Sequence, residues 1–228
     1  MSATPELQCA MPETPAPILL TGFEPFDGQA INPSWEAVRA LDGETIHGRR
    51  VVSRMLPVEF DASLQRLREL ITAMEPALVL CVGQAGGRSR LSIERVAINV
   101  IDARIPDNAG ACPIDTPIVP GGPAAFFATL PIKAMQAAIE ATGIPAEVSQ
   151  TAGTYVCNSV FYGLMHALQQ RPGVRGGFIH IPYAPEQIAL HPGTPSLSVE
   201  AVANALRIAL DTALSVDVDH RIAGGAEH

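Results

Sequence analysis

Ala77-Leu78-Val79-Leu80-Cys81-Val82 is an unbroken apolar run that stops at Gly83. It is far shorter than the ~20 residues a membrane-crossing helix needs. It also lacks the alternation of a strand that faces water on one side. A short run of this kind is the signature of a strand buried on both faces, which requires helices above and below it. The chain supplies them. Ile18-Leu19-Leu20 forms a first buried strand ending in Thr21-Gly22, and Asn32-Pro33-Ser34 opens a helix through Trp35, Val38 and Leu41. Arg49 to Leu56 reads as a second strand. Asp61 caps a helix on which Leu64, Leu67, Ile71 and Met74 recur at helical spacing, and Pro76 stops it. From Gly83 to Gly122, glycine, proline and turn pairs surround a single strand at Glu94 to Ile101, an excursion within the domain. Beyond it come a helix from Pro131 to Thr142 closed by Gly143, a strand at Ala146 to Ser149, a helix from Asn158 to Gln170, a strand at Gly177 to Ile181 and a last helix from Ser198 to Ser215. Strands and helices alternate without repeats. The prediction is a single-domain three-layer α/β/α sandwich with a mostly parallel twisted sheet over residues 17–216. Residues 1–16 read as a flexible lead-in and 217–228 as a polar tail expected to fray.

A length of 228 residues suits one such domain, and 47% hydrophobic against 17% charged residues suits a buried core. The formal net charge of −8, with no basic run, argues against nucleic acid as a partner. No apolar stretch points to a membrane, and the first residues lack the basic start and apolar centre of a secretory signal. Cys9, Cys81, Cys112 and Cys157 are dispersed, with no CxxC pair, and are expected as reduced thiols.

In an open parallel sheet, ligands bind beyond the carboxyl ends of the strands. The segments Thr21–Gly28, Gly83–Arg88, Thr151–Asn158 and His180–Tyr183 each follow a proposed strand and are expected to open on one edge. Cys157 lies where a glycine-containing turn enters a helix, a setting in which unpaired backbone N–H groups and the helix dipole can lower a thiol pKa from ~8.5 into the range ~3.5–7.5. A cysteine can equally be a small buried hydrophobe, the reading that suits Cys81 inside its strand. His180 ends an apolar strand and is either a hydrogen-bonded core residue or a base facing Cys157. Glu94 gains a role only as a carboxylate that orients an imidazole. Gly83-Gln84-Ala85-Gly86-Gly87-Arg88 matches neither a Walker loop nor GxGxxG. Phe23 and Phe26 are loop anchors, or faces for a flat uncharged ring.

Seven segments together resemble the pyroglutamyl-peptidase I (pyrrolidone-carboxylate peptidase) family of cysteine peptidases. They are Gly22–Phe26, Asn32–Trp35, Gly83–Arg88, Glu94–Asn99, Arg104–Asn108, Thr151–Asn158 and Gly177–Pro182, spread from Ile18 to Ser215 in the family's order. The resemblance implies an exopeptidase that hydrolyses the amide bond after an N-terminal pyroglutamyl residue through a thioester. Its triad falls on Cys157 as nucleophile, His180 as general base and acid, and Glu94 as the orienting carboxylate. The substrate site falls on Phe23, Phe26, Asn32, Gln84, Arg104, Ile105, Tyr155 and Val156, with Arg104 beside the reacting carbonyl. The resemblance also implies a cytoplasmic homotetramer that needs no metal and no organic cofactor, with pyroglutamyl peptides as its partners. Two positions depart from the family pattern. Asp27 stands where glycine is more common, and Tyr155 where phenylalanine is often found. Open beside this reading are a cysteine amidase for another small amide, a non-catalytic homologue that binds, and a zinc site on Cys157 and His180, the last without metal-ligand spacing.

Overall fold

The computed structural model describes residues 15–224; the expected lead-in as far as residue 14, and residues 225–228 of the expected tail, lie outside them. In chain order the elements are β1 (Ile18–Phe23), α1 (Pro33–Arg39), β2 (Thr45–Ile46), β3 (Arg49–Leu56), α2 (Phe60–Met74), β4 (Leu78–Gln84), β5 (Leu91–Glu94), β6 (Val96–Ile98), β7 (Ala125–Phe127), α3 (Ile132–Glu140), β8 (Ala146–Ser149), α4 (Val156–Leu168), β9 (Arg175–Ile181) and α5 (Val199–Ser215). Among the described residues no helix is long and apolar enough to cross a membrane.

One sheet runs in the order β2-β3-β1-β4-β9-β5-β8. The apolar run in β4 is its middle strand, and every residue of β4 is buried. Side chains alternate across the strands, so the two faces build two cores. Ile18, Leu80 and Ile179 pack under α1, α3 and α5 through Val38, Met135 and Leu206. Leu19, Val79 and Phe178 pack under α2 and α4 through Leu67 and Phe161. Each such side chain, fully withdrawn from water, contributes about 1.5–3 kcal/mol. The result is the three-layer α/β/α arrangement expected from the sequence.

β1, β3, β4 and β9 are mutually parallel, but β5 pairs antiparallel with β9 and parallel with β8. The strand expected from Glu94 to Ile101 is therefore two. Glu94 closes β5 inside the main sheet, and Val96 starts β6, which leaves to pair with β7. The expectation that all four loops follow strands of one direction is corrected as well. β8 runs against β4 and β9, and the chain turns back after Ser149 before it enters α4. Gly153, with φ +76°, makes that return.

Local signals explain most helix ends. Asn32 caps α1 by accepting from the Ser34 N–H at 3.1 Å, and Ser198 caps α5 by accepting from Ala201. Asp61, expected as the cap of α2, lies inside its first turn instead. The Phe60 N–H goes to Asp107 Oδ2 at 3.0 Å, a carboxylate far along the chain. α3 has a similar distant cap, because Asp219 accepts from the N–H groups of Lys133 and Ala134. Within residues 217–224, Asp219 thus binds the start of α3, the Ile222 carbonyl accepts from the Lys133 ammonium, and the Gly224 carbonyl accepts from Arg95.

Candidate active site

α4 begins at Val156, two residues before the expected start, so Cys157 sits in its first turn. Its N-cap, Tyr155, offers no side-chain hydrogen bond, which leaves first-turn backbone N–H groups without a side-chain partner beside the thiol. Asn158 is directed elsewhere. Its amide clamps the backbone of Ile98 and Val100. β4 lies directly across from the thiol. A Cβ on Gly83 would stand 2.8 Å from Cys157 Sγ, so the residue after the apolar run must lack a side chain.

Sheet register carries the argument sideways from Gly83. His180 is its partner on β9, and Ser92 is the partner of His180 on β5. Glu94, two residues beyond Ser92, points to the same face and meets the ring, with Glu94 Oε1 2.7 Å from His180 Nδ1. A carboxylate only accepts, so Nδ1 carries the proton and Nε2 is left basic. His180 is 3% exposed and Glu94 fully buried. The Phe178 ring packs on the imidazole with centroids 4.8 Å apart. Arg88, from the loop after β4, donates to the same Glu94 oxygen at 2.7 Å and to the Thr151 carbonyl at 2.9 Å.

Cys157 and His180 open onto a cavity of about 390 Å³ that Arg104, Ile105 and Tyr155 also line. A narrower pocket adjoins it, formed by Phe23, Phe26, Asn32, Val58, Gln84, Tyr155, Val156 and Cys157. All eight side chains expected at a substrate site thus line one or other of these two spaces. Glu94 stands behind His180, away from the cavity wall.

The narrow pocket is built by a chain of local bonds. Ser34 Oγ accepts from the Phe23 N–H at 3.0 Å and donates to Asn32 Oδ1, and Asn32 Nδ2 donates to the Glu24 carbonyl. A Cβ at Gly22 would lie 2.7 Å from Trp35 Cα, so the start of α1 can rest on β1 only where residue 22 is glycine. Glu24 Oε1 in turn accepts from the Val58 N–H and from Asn108 Nδ2. Asp27 takes a left-handed φ of +52°, which accounts for glycine being favoured there. The Tyr155 hydroxyl donates to the Pro106 carbonyl at 2.9 Å, so the extra oxygen ties α4 to the Arg104–Asn108 segment.

The electrostatics of the thiol reverse the sequence expectation. Burial pushes the Cys157 thiol up to about 12, and the Glu94 charge adds to this; Arg88 and the cysteine's own N–H pull the other way without prevailing. Cys81, inside β4, is likewise raised to about 12 by burial. Among the described residues, no group of three or more His, Cys, Asp or Glu side chains is arranged to hold a metal ion.

The sequence places Gly83, Arg88 and Tyr183 in loops at the binding edge but gives no role to them, nor to Gln187 and His191. Gln187 Nε2 donates to Gln84 Oε1 at 3.0 Å, which frees the Gln84 NH₂ group as a donor. His191 stacks on Tyr183 with centroids 4.2 Å apart and bonds Gln29 at the cavity rim. Gly83 and Arg88 bound the very loop that the sequence presents as a poor phosphate motif. The other three follow β9 and carry no spacing signal.

The chain is similar to known proteins over most of its length. A family model described as pyroglutamyl peptidase matches residues 16–216. The pyrrolidone-carboxylate peptidase of Cupriavidus necator is 63% identical over 213 residues, covering 92% of this chain and 99% of its own. That of Klebsiella pneumoniae is 59% identical over 213 residues, covering 93% and 100%. The crystal structure of pyroglutamyl peptidase I from Bacillus amyloliquefaciens superposes with a TM-score of 0.89 at 50% identity, covering 92% of this chain and all of that one. Pyrrolidone carboxyl peptidase from Pyrococcus furiosus gives a TM-score of 0.84 at 44% identity, covering 86% and 97%.

Proposed function

The chain belongs to the pyroglutamyl peptidase family, and from that premise we propose that it removes N-terminal pyroglutamate by nucleophilic attack of Cys157, with His180 as general base and acid and Glu94 as the carboxylate that orients it. The observation that carries this reading is the 2.7 Å contact between His180 Nδ1 and Glu94 Oε1, with His180 and Cys157 on one cavity.

Pyroglutamate is a neutral five-membered lactam without an ammonium group. The narrow pocket suits it, because Phe23, Phe26 and Val58 give apolar walls and no acidic side chain awaits an amine. The free Gln84 NH₂ group is a donor for the lactam carbonyl. An N-terminal proline brings a charged amine and no such carbonyl. Sites built on polar pairing of this kind discriminate by about 10⁴ or more.

Because the resting thiol is neutral, its proton passes to His180 Nε2 as sulfur attacks the carbonyl after the ring. The uncapped first-turn N–H groups of α4, with Arg104 across the cavity, receive the oxyanion; one such donor is typically worth about 3–4 kcal/mol. His180 returns the proton to the departing amine, which leaves through the wider cavity. Water then attacks the thioester with His180 taking its proton, and that proton returns to the Cys157 sulfur as pyroglutamate leaves. The test is a chromogenic pyroglutamyl anilide with wild type, Cys157→Ser and Cys157→Ala. Turnover should be lost in both variants while each folds as wild type does, and a Cys157→Ala protein that keeps most of its activity would refute the assignment.

A further inference from the structure

The nearest polar neighbour of Glu94 besides His180 is Arg88, and the two converge on one oxygen. Arg88 NH1 and His180 Nδ1 each lie 2.7 Å from Glu94 Oε1, while Glu94 Oε2 is buried without a hydrogen-bond partner. A fully buried carboxylate is costly unless paired, and with Oε2 unassisted its charge depends on these two contacts. A neutral imidazole does not balance that charge. The guanidinium does, and it is anchored at its other end. Arg88 NH2 donates to the Thr151 carbonyl at 2.9 Å, and NH1 reaches Ser149 Oγ at 3.4 Å. Thr151 begins the return that leads into Cys157. One side chain therefore bridges the carboxylate behind His180 and the loop that delivers the nucleophile.

We infer that Arg88 is a positioning residue of the reaction: it keeps Glu94 anionic with Oε1 fixed on His180 Nδ1, and thereby holds the imidazole in the tautomer that leaves Nε2 basic toward the thiol. This rests on the triad reading above and extends it. Arg88 is distinct from Arg104, which has no ion-pair partner among the described residues and faces the open cavity. With its side chain only 25% exposed and committed to Glu94, Arg88 is not a free anion receptor. The charged and titratable groups around Glu94 and His180 are Arg88, Cys157 on α4, and Asp27, Asp102, Arg104, Tyr155, Tyr183 and His191 on the cavity wall. Glu147 on the neighbouring strand is held by Ser92.

The test compares wild type, Arg88→Gln, Arg88→Lys and Glu94→Gln on a pyroglutamyl anilide across pH. Removing the cation makes the Glu94–His180 pair take up a proton more easily, on the carboxylate or on the imidazole, so the base with its anionic partner is lost sooner as pH falls. Arg88→Gln should lower kcat about 10- to 100-fold, the size of effect typical when the outer partner of a metal-bound histidine is lost, with KM changed less than about threefold. The acid limb of its kcat/KM profile should move to higher pH. Arg88→Lys keeps the charge and should restore the limb's position, with kcat only partly recovered because the fork to Thr151 is gone. A fall in kcat with no movement of the limb would reduce Arg88 to a structural role and overturn the inference. So would a raised KM at unchanged kcat, or wild-type behaviour of Arg88→Gln. Glu94→Gln separates the two levels: if it is fully active the triad reading fails, whereas if it is inactive while Arg88→Gln is normal only the inference about Arg88 fails.

Discussion

Gly83 on β4 and Cys157 on α4 meet so closely that a Cβ on residue 83 would lie 2.8 Å from the sulfur and 2.8 Å from the Phe178 ring. The strand that anchors the sheet therefore also sets the depth of the nucleophile. In Gly83→Ala either the thiol or the Phe178 ring must shift, and Phe178 packs against His180. Overpacking of this kind costs about 1–3 kcal/mol, and a displacement of ~1 Å at a reacting atom can cost ~10²-fold in rate. Gly83→Ala should lose about 10²-fold in kcat/KM on a pyroglutamyl anilide and melt below wild type. Unchanged values of both would show that the contact relaxes without consequence.

The raised thiols give a pH dependence of definite sign. Cys81 and Cys157 both stand at about 12 in the folded chain, above the ~8.5 of a free cysteine. Folding thus favours their neutral forms. The stability this contributes is complete below about pH 8.5 and is lost progressively as pH rises from there toward 12. Urea midpoints should fall between about pH 8 and about pH 10.5, and less steeply in Cys81→Ala, where one of the two groups is gone. In the same sense, iodoacetamide inactivation through Cys157 should keep accelerating from about pH 6 to about pH 9.5. A rate that levels off below neutrality would mean a preformed thiolate–imidazolium pair and would contradict the neutral resting thiol.

Tyr155→Phe separates a structural hydroxyl from a substrate contact. The hydroxyl donates to the Pro106 carbonyl, while the ring packs edge-on against Phe60 with centroids 5.3 Å apart. The substitution keeps the ring and loses one hydrogen bond, an expected cost of about 0.5–1.5 kcal/mol. KM and kcat should stay within a few-fold of wild type. A selective rise in KM for pyroglutamyl substrates would place the hydroxyl in the ring site instead.

The sequence made the sheet legible wherever apolar runs were long and buried. Arg49–Leu56 and Ala146–Ser149 have the expected bounds, and the run beginning at Ala77 became β4. It did not reveal strand direction, because a tetrapeptide as short as Leu91–Glu94 reads alike in either sense. Local caps such as Asn32 and Ser198 were readable, since donor and acceptor lie within three residues. Asp107 was not, because its helix starts 47 residues earlier and the nearby Asp61 imitates a cap. At the site, Cys157 and His180 could be brought together by strand ends alone. Glu94 needed the family resemblance, since a charged residue at the end of a strand looks solvated until the strand is known to be internal. The helix start that can lower the Cys157 thiol is visible in the sequence, whereas the burial that raises it is not.

Asp219 supplies the last prediction, and it concerns a segment that composition presents as a loose tail. α3 starts behind Pro131 without a side-chain cap of its own, so its first N–H groups need an acceptor. Asp219 Oδ1 accepts from Lys133 N at 3.1 Å and from Ala134 N at 2.9 Å, and a carboxylate at that end also suits the helix dipole. Loss of a cap of this kind costs about 0.5–2 kcal/mol. Asp219→Ala should therefore lower the urea midpoint with an unchanged slope, and Asp219→Asn, which keeps an acceptor, should lose less. α3 lies on the sheet face opposite α4 and Cys157, so kcat and KM should stay at wild-type values in both variants below their melting temperatures. A wild-type midpoint for Asp219→Ala would show that water caps α3 equally well and that residues 217–224 contribute nothing to stability.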